Sequence, residues 1–162
     1  MRTDKPAQAS EFLSTSVSVC SIIHRTEAGG GQVILNLDLD GETPIYQQLR
    51  DQIVEAIADG VLPEGSSLPS TRVLAADFGI NFHTVNKAYD LLRRQGLLQL
   101  NRKSGAVVTP AVANPQFPAE WAAKARTLLA EAVAKGMPAD EVLATCRSVL
   151  DSFGSALPED TP

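Results

Sequence analysis

The chain has 162 residues, 44% of them hydrophobic. This is enough for one domain, or a small domain with an appendage, to bury a core without disulfide or metal cross-links. Its two cysteines, Cys20 and Cys146, are far apart and show no metal-ligand spacing, so we expect a reduced, cytoplasmic protein without metal or other cofactor. No run of eighteen apolar residues exists, and the segment from Phe12 to Ile23 is unlike a signal peptide, so we expect neither membrane insertion nor secretion.

Charge is segregated along the chain, although the net charge is −5. Residues 70–109 carry a balance of +4, whereas residues 110–162 carry a balance of −3. The basic side chains of the first of these segments are Arg72, Lys87, Arg93, Arg94, Arg102 and Lys103. A basic face on an otherwise acidic body directs one surface toward phosphate and keeps the rest away from it.

Residues 1–36 are rich in Ser, Thr, Ala and Gly and lack a sustained periodicity, so we interpret them as a flexible extension. An upstream start site or an added tail would give the same pattern. A first helix is predicted from Pro44, which suits a first helical turn, to Gly60, which suits a helix end. Its apolar positions recur at steps of three and four, at Ile45, Leu49, Ile53, Val54 and Ile57.

A helix-turn-helix is predicted next. Ser70 is a suitable N-cap for a short helix, and Gly79 can adopt the left-handed conformation that ends it. Asn81 is a suitable N-cap for the following helix, which Gly96 closes. The inner face of the first helix is predicted to hold Val73, Leu74, Ala75 and Phe78. The buried positions of the second helix are predicted to be Val85, Ala88, Tyr89 and Leu92.

A two-stranded wing is predicted after these helices. Its strands are Leu97 to Leu100 and Ala106 to Thr109, and Gly105 permits a positive φ in the turn between them. Arg102 and Lys103 lie at the tip of this wing. Residues Ser66 to Leu68 are predicted to form a short strand that pairs beside it.

The N-terminal half of the second helix, residues 81–87, is predicted to enter the major groove of DNA, which admits one α-helix. There Asn86 can read adenine or bind phosphate, and Phe82 can touch a thymine methyl group. Arg72 is expected to reach the DNA backbone, and the cations of the wing tip to follow phosphate or enter the minor groove. The predicted DNA contacts are Ser70, Arg72, Asn81, Phe82, His83, Thr84, Asn86, Lys87, Arg102, Lys103 and Gly105.

Each of these interpretations has a plainer alternative. His83 can be a surface or capping histidine, and Phe82 can be a core residue that fixes the turn. Arg93 and Arg94 are interpreted as solvated partners of the helix dipole and are left out of the site.

Two further helices are predicted after the proline-containing linker at residues 110–118, each with one apolar stripe. The two stripes are interpreted as a dimer interface, although they can also pack against each other and the preceding domain within one chain. Cys146 lies on the second stripe and is interpreted as a packing residue. The predicted interface consists of Trp121, Leu128, Leu129, Val133, Val142, Leu143, Cys146, Val149, Leu150 and Phe153.

Several motifs together resemble the winged-helix domain of GntR-family transcriptional regulators over residues 38–109. They are Pro44-Ile-Tyr-Gln-Gln-Leu, Gly60-x-Leu62-x-x-Gly65, Leu68-Pro-Ser-x-Arg72-x-Leu-Ala, Thr84-Val-x-x-Ala88-Tyr and Gly96-Leu-Leu. The short two-helix tail resembles that of the YtrA-type subfamily. By position, Arg72 matches the family's arginine in helix two, residues 81–86 its base-reading segment and residues 102–105 its wing tip. Many family members have arginine where this chain has Phe82, so their base preferences do not transfer.

The resemblance implies a mainly α protein with a small β-wing, consisting of a winged helix-turn-helix domain at 37–110 and a dimerisation or effector tail at 111–162. The flexible extension at 1–36 precedes them. The resemblance also implies a homodimeric repressor of a transporter-type operon, bound to a pseudo-palindromic double-stranded operator and open to a small-molecule effector. About fifty tail residues cannot hold the aminotransferase-like or metabolite-binding domain of longer relatives, so we expect no enzyme. A winged-helix module that binds protein instead of DNA is the alternative.

Overall fold

The structure, a computed structural model, describes residues 19–25, 32–101, 105–112 and 114–153. Five strands and five helices lie within these residues. In chain order they are β1 (Val19–Arg25), β2 (Gln32–Asp38), α1 (Ile45–Ala58), β3 (Ser67–Leu68), α2 (Thr71–Phe78), α3 (Phe82–Arg94), β4 (Leu98–Asn101), β5 (Gly105–Val108), α4 (Phe117–Ala134) and α5 (Ala139–Ser152). The fold class is therefore the predicted one, mainly helical with a small sheet and a helical tail.

A β-hairpin lies in the segment that the sequence analysis treats as flexible. Strands β1 and β2 pair antiparallel, from Val19 opposite Asp38 to Arg25 opposite Gln32. Leu35 and Leu37 of β2 are buried in the core, whereas Ile34 is exposed. Alternation of buried and exposed residues is typical of a half-buried strand. The alternation in β2 is short and follows three glycines, so the sequence did not predict this strand. The structure thus differs from the expectation at 19–25 and 32–36, and residues 1–18 and 26–31 lie outside the described part.

Two glutamine side chains fasten α1 to β2. The amide of Gln48 accepts a hydrogen bond from the Asp38 N–H at 2.9 Å and donates one to the Asp38 carbonyl at 2.8 Å. Gln52 makes the same pair of bonds with Asn36, at 2.7 and 2.5 Å. Each amide therefore satisfies the donor and the acceptor of one β2 residue, as a neighbouring strand would.

The helix-turn-helix is closed by local hydrogen bonds that confirm the predicted caps. The Ser70 hydroxyl accepts a hydrogen bond from the Val73 N–H at 3.3 Å, and Gly79 ends α2 with φ of 63°. The Asn81 side chain accepts a hydrogen bond from the His83 N–H at 2.9 Å. One prediction for α2 is wrong, because Val73 is 50% exposed and only Leu74, Ala75 and Phe78 of the predicted inner face are buried. At 100° per residue, Val73 lies almost opposite the centre of that face.

A single core unites the hairpin, the first three helices and the wing. Its buried members are Leu35, Leu37, Leu49, Ile53, Leu62, Leu68, Leu74, Ala75, Phe78, Val85, Ala88, Tyr89, Leu92, Leu98, Ala106 and Val108. The four positions predicted to be buried on α3 are all among them. This core holds α3 as a rigid unit with one face left to solvent.

The wing is a three-stranded sheet in the order β3-β5-β4, with both neighbouring pairs antiparallel. Its strands begin and end within one residue of the predicted positions. Gly105 has φ of 83°, and a Cβ there would lie 2.6 Å from the Leu68 carbonyl oxygen. Only glycine therefore fits where β5 passes β3.

The tail consists of α4 and α5, joined by a turn at Lys135 to Pro138. Val142 is the one buried residue in the described parts of these two helices. The tail therefore presents most of its apolar side chains to solvent. No helix in the described ranges has the length and apolar character needed to cross a membrane.

Candidate nucleic-acid interface

The exposed face of α3 carries most of the residues predicted to contact bases. His83, Asn86 and Lys87 are exposed, and Thr84 is half-buried. The buried face of the same helix, formed by Val85, Ala88, Tyr89 and Leu92, packs into the core. Because only one side of α3 is buried, its polar side is free to enter a DNA groove.

The first residues of α3 form a small aromatic cluster. Phe82 is 43% exposed, and its ring centroid lies 3.9 Å from that of His83, with the planes tilted by 34°. Arg72, Asn81, Phe82 and His83 line one shallow concavity between α2 and the start of α3, together with Ala75, Ala76 and Ile80. The structure thus brings four predicted DNA-contact residues together, and it does not place Phe82 in the core.

Tyr89 fixes the angle between α3 and the chain that enters α2. Its hydroxyl donates a hydrogen bond to the Pro69 carbonyl at 2.9 Å, and the side chain is 1% exposed. Burial raises the pKa of the Tyr89 phenol far above its ordinary value, because the phenolate would lose its hydration. The neutral phenol therefore remains a donor, which holds α3 against the residue before Ser70.

Tyr46 contacts the exposed face of α3, which the sequence did not predict. The Lys87 ammonium lies 3.6 Å from the centroid of the Tyr46 ring, in cation-π geometry. Tyr46 belongs to the first turn of α1, 41 positions before Lys87, and no local pattern in the sequence connects the two. The interaction holds the Lys87 ammonium against the first turn of α1.

Arg93 and Arg94 are bound to Asp90 on the same helix. Arg93 Nη2 lies 2.6 Å from one carboxylate oxygen, and Arg94 Nε lies 2.7 Å from the other. The hydrogen bond from Arg93, followed by the charges of the two arginines, holds the pKa of Asp90 below its ordinary value. The interpretation of these arginines as solvated partners of the helix dipole is therefore incomplete, because each also has an acidic partner.

The remaining predicted DNA contacts have different positions. Arg102 and Lys103 lie outside the described residues. Ser70 uses its hydroxyl as the cap of α2, and Gly105 lies where the wing passes β3. These two residues have structural roles, and their contact with DNA stays a prediction.

The residues predicted to form the dimer interface are mostly exposed within one chain. Trp121, Leu128, Leu129, Val133, Leu143, Val149 and Leu150 are between 42% and 70% exposed. Cys146 is also exposed, Phe153 is half-buried and Val142 is 8% exposed. On α4, Trp121, Ala125, Leu129 and Val133 line an open apolar groove with Arg126 at its side. Packing within one chain therefore covers Val142 but leaves most of the two stripes uncovered.

The fold is that of the winged helix-turn-helix class. Its helix-turn-helix packs into the core on one side, its second helix exposes the other side to solvent, and a three-stranded wing follows. The family model described as bacterial regulatory proteins of the gntR family matches residues 45–108. The chain belongs to the GntR family and is YtrA-like within it. The predicted resemblance is confirmed.

Three comparisons show how far the likeness extends. The HTH-type transcriptional repressor YtrA of Bacillus subtilis (strain 168) is 36% identical over 76 residues, which cover 47% of this chain and 58% of YtrA. The solved structure of YtrA from Sulfolobus acidocaldarius, a GntR-family transcription factor, is 39% identical with a TM-score of 0.52, covering 62% of this chain and 97% of that one. That of a transcriptional antiterminator from Listeria monocytogenes EGD-e is 27% identical with a TM-score of 0.65, covering 72% and 90%.

These three relatives are named as transcription factors or regulators, not as enzymes. The chain spans less than two thirds of the length of the curated relatives it matches, 58% of the Bacillus YtrA among them. The residues that match the family model, 45–108, include α3 and its exposed face.

Proposed function

We propose that the protein is a transcriptional regulator that binds a pseudo-palindromic DNA operator as a homodimer, with one α3 helix in each of two major grooves. The observation that carries this proposal is the exposed N-terminal half of α3, which presents Asn86, Lys87 and His83 while its opposite face is buried. A helix held in this way can lie in the major groove with its side chains against base edges.

The polar residues divide into readers of sequence and binders of phosphate. Asn86 has the amide that pairs with the N6 and N7 atoms of adenine. Arg72 on α2 and Lys87 on α3 are suited to phosphate, because each carries an exposed positive charge. Arg102 and Lys103, which the sequence predicts at the wing tip, are the further phosphate contacts that we propose.

The tail supports the homodimer. Two stripes with at least seven large apolar side chains that are 42% to 70% exposed are unusual on a monomer, and a two-fold interface would cover them. The proposed interface is therefore built from α4 and α5, with Val142 already buried in each chain. A small effector bound between tail and winged domain would change the separation of the two α3 helices, and this remains a prediction.

The repressor role rests on the likeness to YtrA, which is named as a repressor in Bacillus subtilis. We propose that this chain also represses, that it acts in the cytoplasm, where the chromosome lies, and that the operon it controls encodes a membrane transporter. A transporter operon agrees with the resemblance to the YtrA-type subfamily. The regulated genes would be identified by selecting fragments of the source genome with the purified protein.

Binding-site selection from random duplex DNA tests the proposed function. The full chain should enrich one pseudo-palindromic sequence, Arg72→Ala should weaken binding to all sequences alike, and Asn86→Ala should relax one base position in each half-site. Lys124→Ala, which removes an exposed cation from the tail, is the control and should leave the sequence profile unchanged.

The alternative, a winged-helix module that binds protein, predicts a different result. It predicts no enriched sequence and weak binding with little dependence on salt. For a dimer that makes about six to eight phosphate contacts, raising the salt concentration from about 50 to about 200 mM should instead lower the affinity for DNA by orders of magnitude. Identical sequence profiles for the wild type and Asn86→Ala would remove Asn86 from the readout.

A further inference from the structure

Phe82 differs from the other aromatic side chains of the helix-turn-helix. Phe78 and Tyr89 are 4% and 1% exposed and belong to the core, whereas Phe82 is 43% exposed at the first position of α3. The turn itself is held by the Asn81 cap and by the Gly79 conformation, so Phe82 is not needed to close it. An apolar ring is thus placed at the end of the helix that approaches the bases.

The ring is also held in place before any DNA is bound. Its centroid lies 3.9 Å from that of His83, and on the α2 side Ala76 and Ile80 line the same concavity. A ring with two rotatable bonds and a stacked neighbour loses little conformational freedom when it meets a ligand. The position and orientation of Phe82 are therefore those of a preorganised contact.

The chemistry of the Phe82 side chain limits what it can read. The side-chain amide oxygen of Asn81 accepts the hydrogen bond from the His83 N–H, so the cap already occupies it. Phe82 itself has no hydrogen-bond donor or acceptor. Among the groups that base pairs present in the major groove, the one apolar group is the C5 methyl of thymine.

We propose that the stacked Phe82–His83 pair makes this regulator select a thymine in each half-site by contact between the Phe82 ring and the thymine methyl group. The inference rests on the proposed function, since it requires α3 to lie in the major groove. Phe82 and Asn86 are one turn apart on neighbouring positions of the same helix side. The selected thymine therefore lies within a few base pairs of the base that Asn86 reads.

Replacing thymine by deoxyuridine in the selected operator tests this inference, because the change removes only the methyl group. For the wild type, one such replacement in a single half-site should weaken binding about fourfold, the effect of one buried methyl-sized group. Phe82→Ala should bind the thymine and deoxyuridine operators equally. Phe82→Leu keeps an apolar contact and should retain part of the difference.

Val73→Ala is the matched control, because it shortens another exposed apolar side chain, 50% exposed on α2. It should keep the full fourfold difference, and thermal unfolding of all variants would verify that each is folded. The inference is overturned if every deoxyuridine replacement changes wild-type binding by less than twofold, or if Phe82→Ala shows the same loss as the wild type. A selection that enriches no sequence would instead contradict the proposed function, and the inference with it.

Discussion

The winged domain and the tail are both built from amphipathic helices, but they treat their apolar faces in opposite ways. On α3, Val85 and Leu92 are completely buried, whereas on α4 Leu128 is 70% exposed. An apolar stripe at helical spacing predicts a face that can pack against a partner. It does not predict whether the partner belongs to the same chain. The difference assigns one region to holding α3, while the other stays exposed within one chain.

Matched leucine substitutions on α3 and α4 should differ most in their effect on the free energy of unfolding. Leu92→Ala removes a completely buried side chain of α3 and should lower the free energy of unfolding by about 2–5 kcal/mol. Leu128→Ala removes an exposed side chain and should lower it by less than about 0.5 kcal/mol when the protein is dilute enough to be monomeric. Urea denaturation of both variants checks the difference, and equal losses would show that the tail face is covered within one chain.

A charge placed on the tail should weaken the dimer while leaving the winged domain folded. Leu128→Glu puts a carboxylate into the proposed interface, where it would lose hydration without a partner. The dimer dissociation constant should rise at least tenfold, or about 1.4 kcal/mol. Sedimentation equilibrium of the full chain, with Lys124→Ala as control and a chain ending at Pro110 as the monomer reference, measures this. If the full chain and the shortened chain are both monomers, the dimer proposal fails.

Gly105→Ala should show how closely β5 packs against β3 within the wing. The added Cβ would lie 2.6 Å from the Leu68 carbonyl oxygen, and φ of 83° is unfavourable for alanine. We expect a loss of stability of at least about 1 kcal/mol. Gly65→Ala is a useful control, because its φ is also positive at 80° but nothing lies within 4 Å of its Cβ. The two losses should differ, and equality would show that the contact with β3 costs nothing.

Tyr89→Phe should cost about 1 kcal/mol, because it removes the hydrogen bond to Pro69. It should also change the response to alkaline pH. The phenol has a higher pKa in the folded state than the ordinary 10.0, so the folded state holds its proton more tightly and the wild type loses stability as pH rises above about 10. The variant lacks this component. Denaturant unfolding from pH 8 to 11 would contradict this if both proteins declined alike.

The local features of the fold could be predicted from the sequence because their causes are local. Ser70 and Asn81 cap the next helix within three residues, and Gly79 ends α2 through its own backbone conformation. The motifs around them were sufficient to identify the family. The same sequence placed Val73 on the wrong face, because a short helix gives too few apolar positions to define its direction.

The contacts between distant segments could not be predicted in this way. Gln48 and Gln52 replace a neighbouring strand for β2, and Tyr46 positions Lys87 from another helix. Each depends on how α1 is packed, which no short pattern encodes. The β1–β2 hairpin was missed for the related reason that its alternation is short and follows three glycines.

Footprinting of the selected operator with the full chain tests whether α3 binds the major groove as part of a two-fold dimer. If α3 binds the major groove and the tail forms a two-fold dimer, two equivalent protected half-sites should appear, separated by one helical turn of about 10 base pairs or a multiple of it. Leu128→Glu should need a higher protein concentration to protect both. A single protected half-site at all concentrations, or no protection of the selected sequence, would contradict the account.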